Sequence, residues 1–243
     1  MRAIRIIFRR EFGAYLRSPF SWVLAALFLL VSGVLFQGFA LGTDRNALSA
    51  LVLERYFYAA SGISIGGGLL LSFRLISEER QTHSMVLLNT SPVRDSEIVI
   101  GKFFAALAFL GLLLLMSLYI PLMLKSGNKI SFAQIFVGYF GLLLIGGTAL
   151  SIGLFASSLT RHQLVAGVIA LVILIVMVVL FPFAKRLEGT PHDVLGELDL
   201  WWIHFQTGFM RGILNLKDVV YYVAVMYFFL LISVKTLEAK RWQ

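Results

Sequence analysis

The chain contains no cysteine, and only 14% of its 243 residues are charged. Without cysteine there is neither a disulfide framework nor a thiolate metal site, though this says little about compartment. Soluble chains carry about 25% charged residues, so an ordinary water-soluble domain is excluded. Nucleotide and metal motifs are missing as well. No G-x-x-x-x-G-K-[ST] is present, because Gly101-Lys102 lacks both the upstream glycine and the following hydroxyl. No H-E-x-x-H occurs, and His83, His162, His192 and His204 are scattered over loops, so no metal and no cofactor is expected in this chain.

What the sequence has instead is apolar length: 59% hydrophobic residues and a mean hydropathy of +0.87. Six runs reach the roughly 20 apolar residues needed to cross a hydrocarbon core. They are placed at about Phe20–Leu41, Tyr56–Ile76, Ile98–Leu124, Phe132–Ser158, Leu164–Phe183 and Val219–Leu237. The expectation is an all-α polytopic membrane protein with one integral domain over residues 1–243. Arg74, Lys102, Lys125 and Lys235 sit near span ends, where long side chains can snorkel. With no ionisable residue at membrane depth, a proton- or sodium-coupled site within one chain is disfavoured.

Residues 1–17 place Arg2, Arg5, Arg9, Arg10 and Arg17 on one side of a helical wheel and Ile4, Phe8, Phe12 and Tyr15 on the other. This predicts an interfacial helix, which Ser18-Pro19 ends. Basic residues also decide orientation. One side of the membrane would hold thirteen of them with six acidic residues, the other eight with seven. Both termini and the Ser77–Phe103 stretch are therefore expected in the cytoplasm. That asymmetry accounts for nearly all of the +8 net charge, so nucleic acid is not an expected partner.

Ser77–Phe103 is the longest charged break in the first half of the chain. Glu78, Glu79 and Arg80 open it, and Met85, Val86, Leu87 and Leu88 form a short amphipathic piece. Pro92 disfavours the α conformation at Ser91, and Asp95 or Ser96 can cap the next helix. Periodicity alone leaves two readings open: a helix that transmits a push from a soluble partner, or a helix resting on lipid headgroups.

The pattern E-E-R-x-T-x-x-M-x-x-L-x-T-x-P-V-x-D-x-E-I-V-x-G-K, from Glu78 to Lys102, resembles the coupling-helix segment of ABC-2 type transporter permeases. The likeness is to the gliding-motility-associated permease and to the permease of the nitrous-oxide-reductase copper-maturation system. Gly153–Gln163 resembles the end of that family's fourth span, and Arg211–Tyr222 the entry to its last. The resemblance implies an elbow helix at 1–17, a cytoplasmic coupling loop at 77–97 and short external helices at 184–217. It also implies a bacterial inner-membrane location and a separate ABC ATPase carrying ATP and Mg. A second permease copy or a paralogue would complete a dimer, and export by alternating access would be the activity. Glu78, Glu79, Arg80, Met85, Leu87, Leu88, Thr90, Ser91 and Pro92 would contact the ATPase. Membrane lipids, and a periplasmic or accessory membrane protein, are the other implied partners.

In the external segment, Thr190-Pro191-His192-Asp193 reads as a capping box opening a short helix. Trp201, Trp202 and Phe205 then suit a membrane–water interface. His204 and Arg211 are the polar candidates beside them. Asn215 and Asp218 can cap the last span. Glycines 62, 66, 67 and 68 in the second span, with Gly146, Gly147 and Gly153 in the fourth, allow close helix approach within one subunit or across a dimer. Two rival functions remain. One is a membrane scaffold anchoring a periplasmic or motility assembly. The other is an intramembrane serine protease, suggested by Gly62-Ile63-Ser64-Ile65-Gly66. That G-x-S-x-G pattern lacks both the strand–turn–helix context and a histidine at similar depth, so Ser64 is expected to bond back to a helix carbonyl or to pack against a neighbour.

Overall fold

A computed structural model describes residues 2–42, 49–77, 94–125, 130–184 and 197–241, and all regular structure among them is helical. The expected second-loop contacts from Glu78 to Pro92 and the Thr190–Asp193 capping box lie outside the described residues. The helices are α1 (Arg2–Arg17), α2 (Pro19–Leu35), α3 (Ser49–Ser72), α4 (Asp95–Ser117), α5 (Tyr119–Lys125), α6 (Phe132–Leu159), α7 (Gln163–Ala184) and α8 (Leu216–Arg241). Helix α2 continues as a wider π-helical turn, Phe36–Leu41, and a 3-10 turn, Phe209–Arg211, precedes α8.

Among the described residues, five helical stretches are long and apolar enough to cross a membrane: Pro19–Leu41, Asp95–Lys125, Phe132–Leu159, Gln163–Leu180 and Leu216–Lys240. Helix α3 stands where a sixth span is expected. It is 24 residues long, but it begins seven residues before the expected Tyr56 and takes in Glu54 and Arg55. Together with Gly66, Gly67 and Gly68, these lower its apolarity.

Helix α6 is the centre of the bundle. Its sequence is apolar all round, as a helix surrounded by others requires, and α3, α7, α8 and α4 all pack on it. Small residues set how close they come. An ideal Cβ at Gly141 would stand 2.5 Å from Phe209, so the external turn seats directly on α6. Where α3 passes α6, a Cβ at Gly68 would run into the carbonyl oxygen of Gly146. Ser64 Oγ donates to the carbonyl of Leu142 on α6 at 2.7 Å, a bond across to the neighbouring helix where one back into its own helix was expected. The glycine cluster nevertheless divides. Gly67 and Gly68 face helices of the same chain, whereas a Cβ at Gly62 or Gly66 would meet nothing within 4 Å.

The cap of α4 falls one residue earlier than expected. Arg94 is the N-cap, and its backbone N–H donates to Glu97 Oε2 at 3.2 Å. Asp95 and Glu97 in the first turn favour the positive helix end.

Candidate functional site

The segment expected to meet an ATPase is held at both of its described ends. On the entry side, α3 gives way to a turn, and Ser157 Oγ of α6 accepts from the backbone N–H groups of Ile76 (3.1 Å) and Ser77 (2.9 Å). The same hydroxyl donates to Phe73 O at 3.2 Å. Nearby, Lys240 Nζ of α8 donates to the last carbonyls of α6, Ser158 O at 3.2 Å and Leu159 O at 2.7 Å. A cation at a helix C-terminus satisfies orphan carbonyls and complements the dipole.

On the exit side, α4 is clasped by α1. Gly101 lies so close to α1 that a Cβ there would stand 2.8 Å from Ile7 Cγ2. Lys102 was expected to snorkel to the surface. Instead its side chain is 3% exposed and pairs with Glu11 Oε1 at 3.4 Å, because α1 lies across it and supplies the counter-charge. Arg10 also reaches Glu11 Oε1, at 2.6 Å. Burial by itself would raise the Glu11 carboxyl, but Lys102 and Arg10 outweigh it and hold the group below its ordinary 4.5. Tyr15 stacks on Phe109 of α4, with ring centroids 5.1 Å apart. Ile7, absent from the expected apolar stripe, is the buried residue of α1. The sequence signal was present in Ile4, Ile7 and Phe8 at helical spacing, but no pattern within α1 names its partner helix.

The other end of the bundle holds the remaining candidates. Asp199 Oδ2 accepts from the backbone N–H groups of Trp201 (3.0 Å), Trp202 and Ile203 (3.1 Å). Burial nonetheless lifts this carboxyl above its usual range, and its Oδ1 has no partner among the described residues. Trp201 donates its indole N–H to Ser61 Oγ of α3 at 2.8 Å. Trp202 is half-buried against Trp201, and Phe205 is fully buried.

His204 is 1% exposed. Its Nδ1 lies 2.8 Å from Asp218 Oδ1, and its Nε2 lies 3.1 Å from the Glu197 carbonyl. Both ring nitrogens thus lie within hydrogen-bond reach of an oxygen. Tyr221 stacks on the ring at 3.8 Å, and Asn215 Nδ2 donates to Asp218 Oδ2 at 3.1 Å. Asp218 was expected to cap α8, but it turns to His204. Arg211 is exposed and reaches Glu54 Oε1 of α3 at 3.4 Å. The structure therefore brings His204 into a buried network and leaves Arg211 at its rim.

His204→Ala should leave the Asp218 carboxylate with only Asn215, destabilising this end by about 2–4 kcal/mol. Hydrogen exchange of residues 197–215 should accelerate while that of α6 stays slow. Unchanged protection of 197–215 would show that the network does not hold this segment.

Among the described residues, no group of three or more His, Cys, Asp or Glu could hold a metal ion. Long apolar helices around an apolar central helix define a multi-pass membrane protein. The sequence matches the family model of the ABC-2 family transporter protein over residues 5–190, and the chain belongs to that family. It is accordingly a transmembrane permease subunit of an ABC transporter. Such subunits are generally non-catalytic and generally work with an ABC ATPase, often as a dimer. No match was found among curated proteins.

Proposed function

We infer that this chain is the permease of an exporter in a bacterial inner membrane, similar to the gliding-motility and copper-maturation permeases. It has six spans and both termini in the cytoplasm. It works as a dimer with a second copy or a paralogue. A separate ATPase holds ATP and Mg and docks on the loop 77–97. The observation that carries this reading is the double anchoring of that loop: Ile76 and Ser77 are tied to Ser157 of α6, and Lys102 is tied to Glu11 of α1. Anchors of this kind at the described ends tie a displacement there to buried side chains of the bundle. The excess of basic residues on this side of the chain supports the cytoplasmic assignment.

In this reading Glu78, Glu79 and Arg80 meet the ATPase by charge, and Met85, Leu87 and Leu88 supply apolar area of about 1.5–3 kcal/mol per fully buried side chain. Thr90, Ser91 and Pro92 complete the contact with the ATPase. Leu88→Asp should therefore abolish co-purification with the ATPase while leaving membrane insertion intact, since a buried, unpartnered aspartate costs several kcal/mol. ATPase recovery at wild-type yield with this variant would overturn the docking assignment.

A further inference from the structure

Helix α8 lies along α6, and the register of the two decides what the last turn of α8 meets. Met226 Sδ stands 3.1 Å from the place a Cβ at Gly147 would take. Phe229 packs on Phe155, with ring centroids 5.8 Å apart. Ser233 and Leu237 follow, both buried. These residues recur at spacings of three and four, the stripe by which one helix covers another. The two helices run in the same direction, since later residues of α8 meet later residues of α6. Three residues further along the stripe, Lys240 arrives at the end of α6, at Ser158 and Leu159. Lys235, one turn earlier, stays on the exposed side and pairs with Glu238 at 2.8 Å.

The end of α6 has a use for that cation. The helix stops at Thr160, whose backbone is extended (φ −123°, ψ 162°) and not left-handed. The left-handed turn that commonly satisfies the last helix carbonyls is therefore missing. Lys240 Nζ donates to two of these carbonyls, Ser158 O at 3.2 Å and Leu159 O at 2.7 Å. One residue before them stands Ser157, whose hydroxyl accepts from the Ile76 and Ser77 N–H groups and donates to Phe73 O. That set uses the one donor and both lone pairs of a hydroxyl, so it tolerates little movement of the Ser157 backbone. Ser77, Ser157 and Ser158 are all fully buried. Yet Ser157 belongs to the last turn of its helix, the part that frays most readily.

We propose that Lys240 is a positioning residue for the entry of the loop 77–97. By holding the last turn of α6 closed, it keeps the Ser157 hydroxyl where Ile76 and Ser77 meet it. The C-terminal end of α8 is thereby part of the loop's anchor, and it acts through the backbone of α6. The consequence for transport rests on the ATPase docking at that loop, whereas the positioning itself does not.

Hydrogen exchange of the full chain in lipid nanodiscs tests the positioning without a partner. In Lys240→Met the Ile76 and Ser77 amides should exchange about tenfold faster, the effect of losing a charge-assisted hydrogen bond. Amides in the middle of α6 should keep their wild-type rates. Lys240→Arg, which retains a cation with several donors, should restore slow exchange. Ser157→Ala should accelerate the same two amides, and adding Lys240→Met to it should bring no further acceleration, because both changes release one contact. Unchanged exchange at Ile76 and Ser77 in Lys240→Met, or fully additive effects in the double variant, would overturn the proposal. In the complex with its ATPase, Lys240→Met should bind the partner at wild-type yield. Transport-coupled ATP hydrolysis should nevertheless fall about fivefold, and Lys240→Arg should restore it. Accelerated amides with undiminished hydrolysis would leave Lys240 holding Ser157 and refute the reading of this loop as the coupling element.

Discussion

Gly68→Val should prevent the bundle from assembling, whereas Gly62→Ala and Gly66→Ala should leave it intact or slightly more stable. All three positions lie on the same helix within two turns, and their local propensities are the same. Their surroundings differ. A Cβ at Gly68 would overlap the Gly146 carbonyl oxygen and stand 3.3 Å from Leu150 N. Both are backbone atoms of α6, so no rotamer change can relieve the overlap, and the α3–α6 contact itself must open. That contact also carries the Ser64 to Leu142 hydrogen bond. Overpacking with some freedom to adjust costs about 1–3 kcal/mol, and this site has less freedom than most. At Gly62 and Gly66 the new methyl enters open space, and replacing a helix-interior glycine by alanine contributes about 0.5–1 kcal/mol. Thermal unfolding in detergent, followed by size-exclusion elution, should separate the two classes. A monodisperse Gly68→Val protein with wild-type stability would mean that α3 and α6 do not pack as described.

Lys102→Met should be the most disruptive single change at the α1 end. It leaves Glu11 largely buried, with Arg10 as its remaining partner. Breaking a buried ion pair from one side costs about 3–5 kcal/mol. The lower end applies here because Arg10 is exposed and still lies 2.6 Å from the carboxylate. The double variant Glu11→Gln, Lys102→Met should recover most of the loss, since neither partner is then a stranded charge. If the clasp between α1 and α4 also carries motion from the loop, transport-coupled ATP hydrolysis by the complex should fall in the single variant and return in the double. A double variant no better than the single would assign the loss to packing around Lys102. Acid gives a second handle on the same pair. Because Glu11 is held below 4.5 in the folded protein, its contribution is complete above that pH. It is lost as pH falls through the depressed value. The stability difference between wild type and the double variant should therefore shrink on acidification.

Some of this protein could be read directly from its residues. The apolar runs sit close to where the helices are: Phe132–Ser158 against Phe132–Leu159, and Leu164–Phe183 against Gln163–Ala184. Length and apolarity are local properties, and a hydrocarbon core imposes them on each span separately. Ser131 before α6 is a local signal of the same kind, its Oγ accepting from the Ala133 N–H at 3.2 Å. The second span was harder, because α3 owes its burial to neighbours and not to its own hydropathy.

Partner choice was not legible. Nothing near Lys102 in sequence tells that Glu11, some ninety residues earlier, covers it. Nothing in a row of glycines tells Gly68, pressed on α6, from Gly66, facing open space. Asp218 has the sequence position of a helix cap, but His204 lies within hydrogen-bond reach only once the 197–215 segment has folded back over α8. Helical periodicity states which face of a helix must be covered. Which helix covers it is set by the close approach of backbones many residues apart, and that only the packed bundle decides.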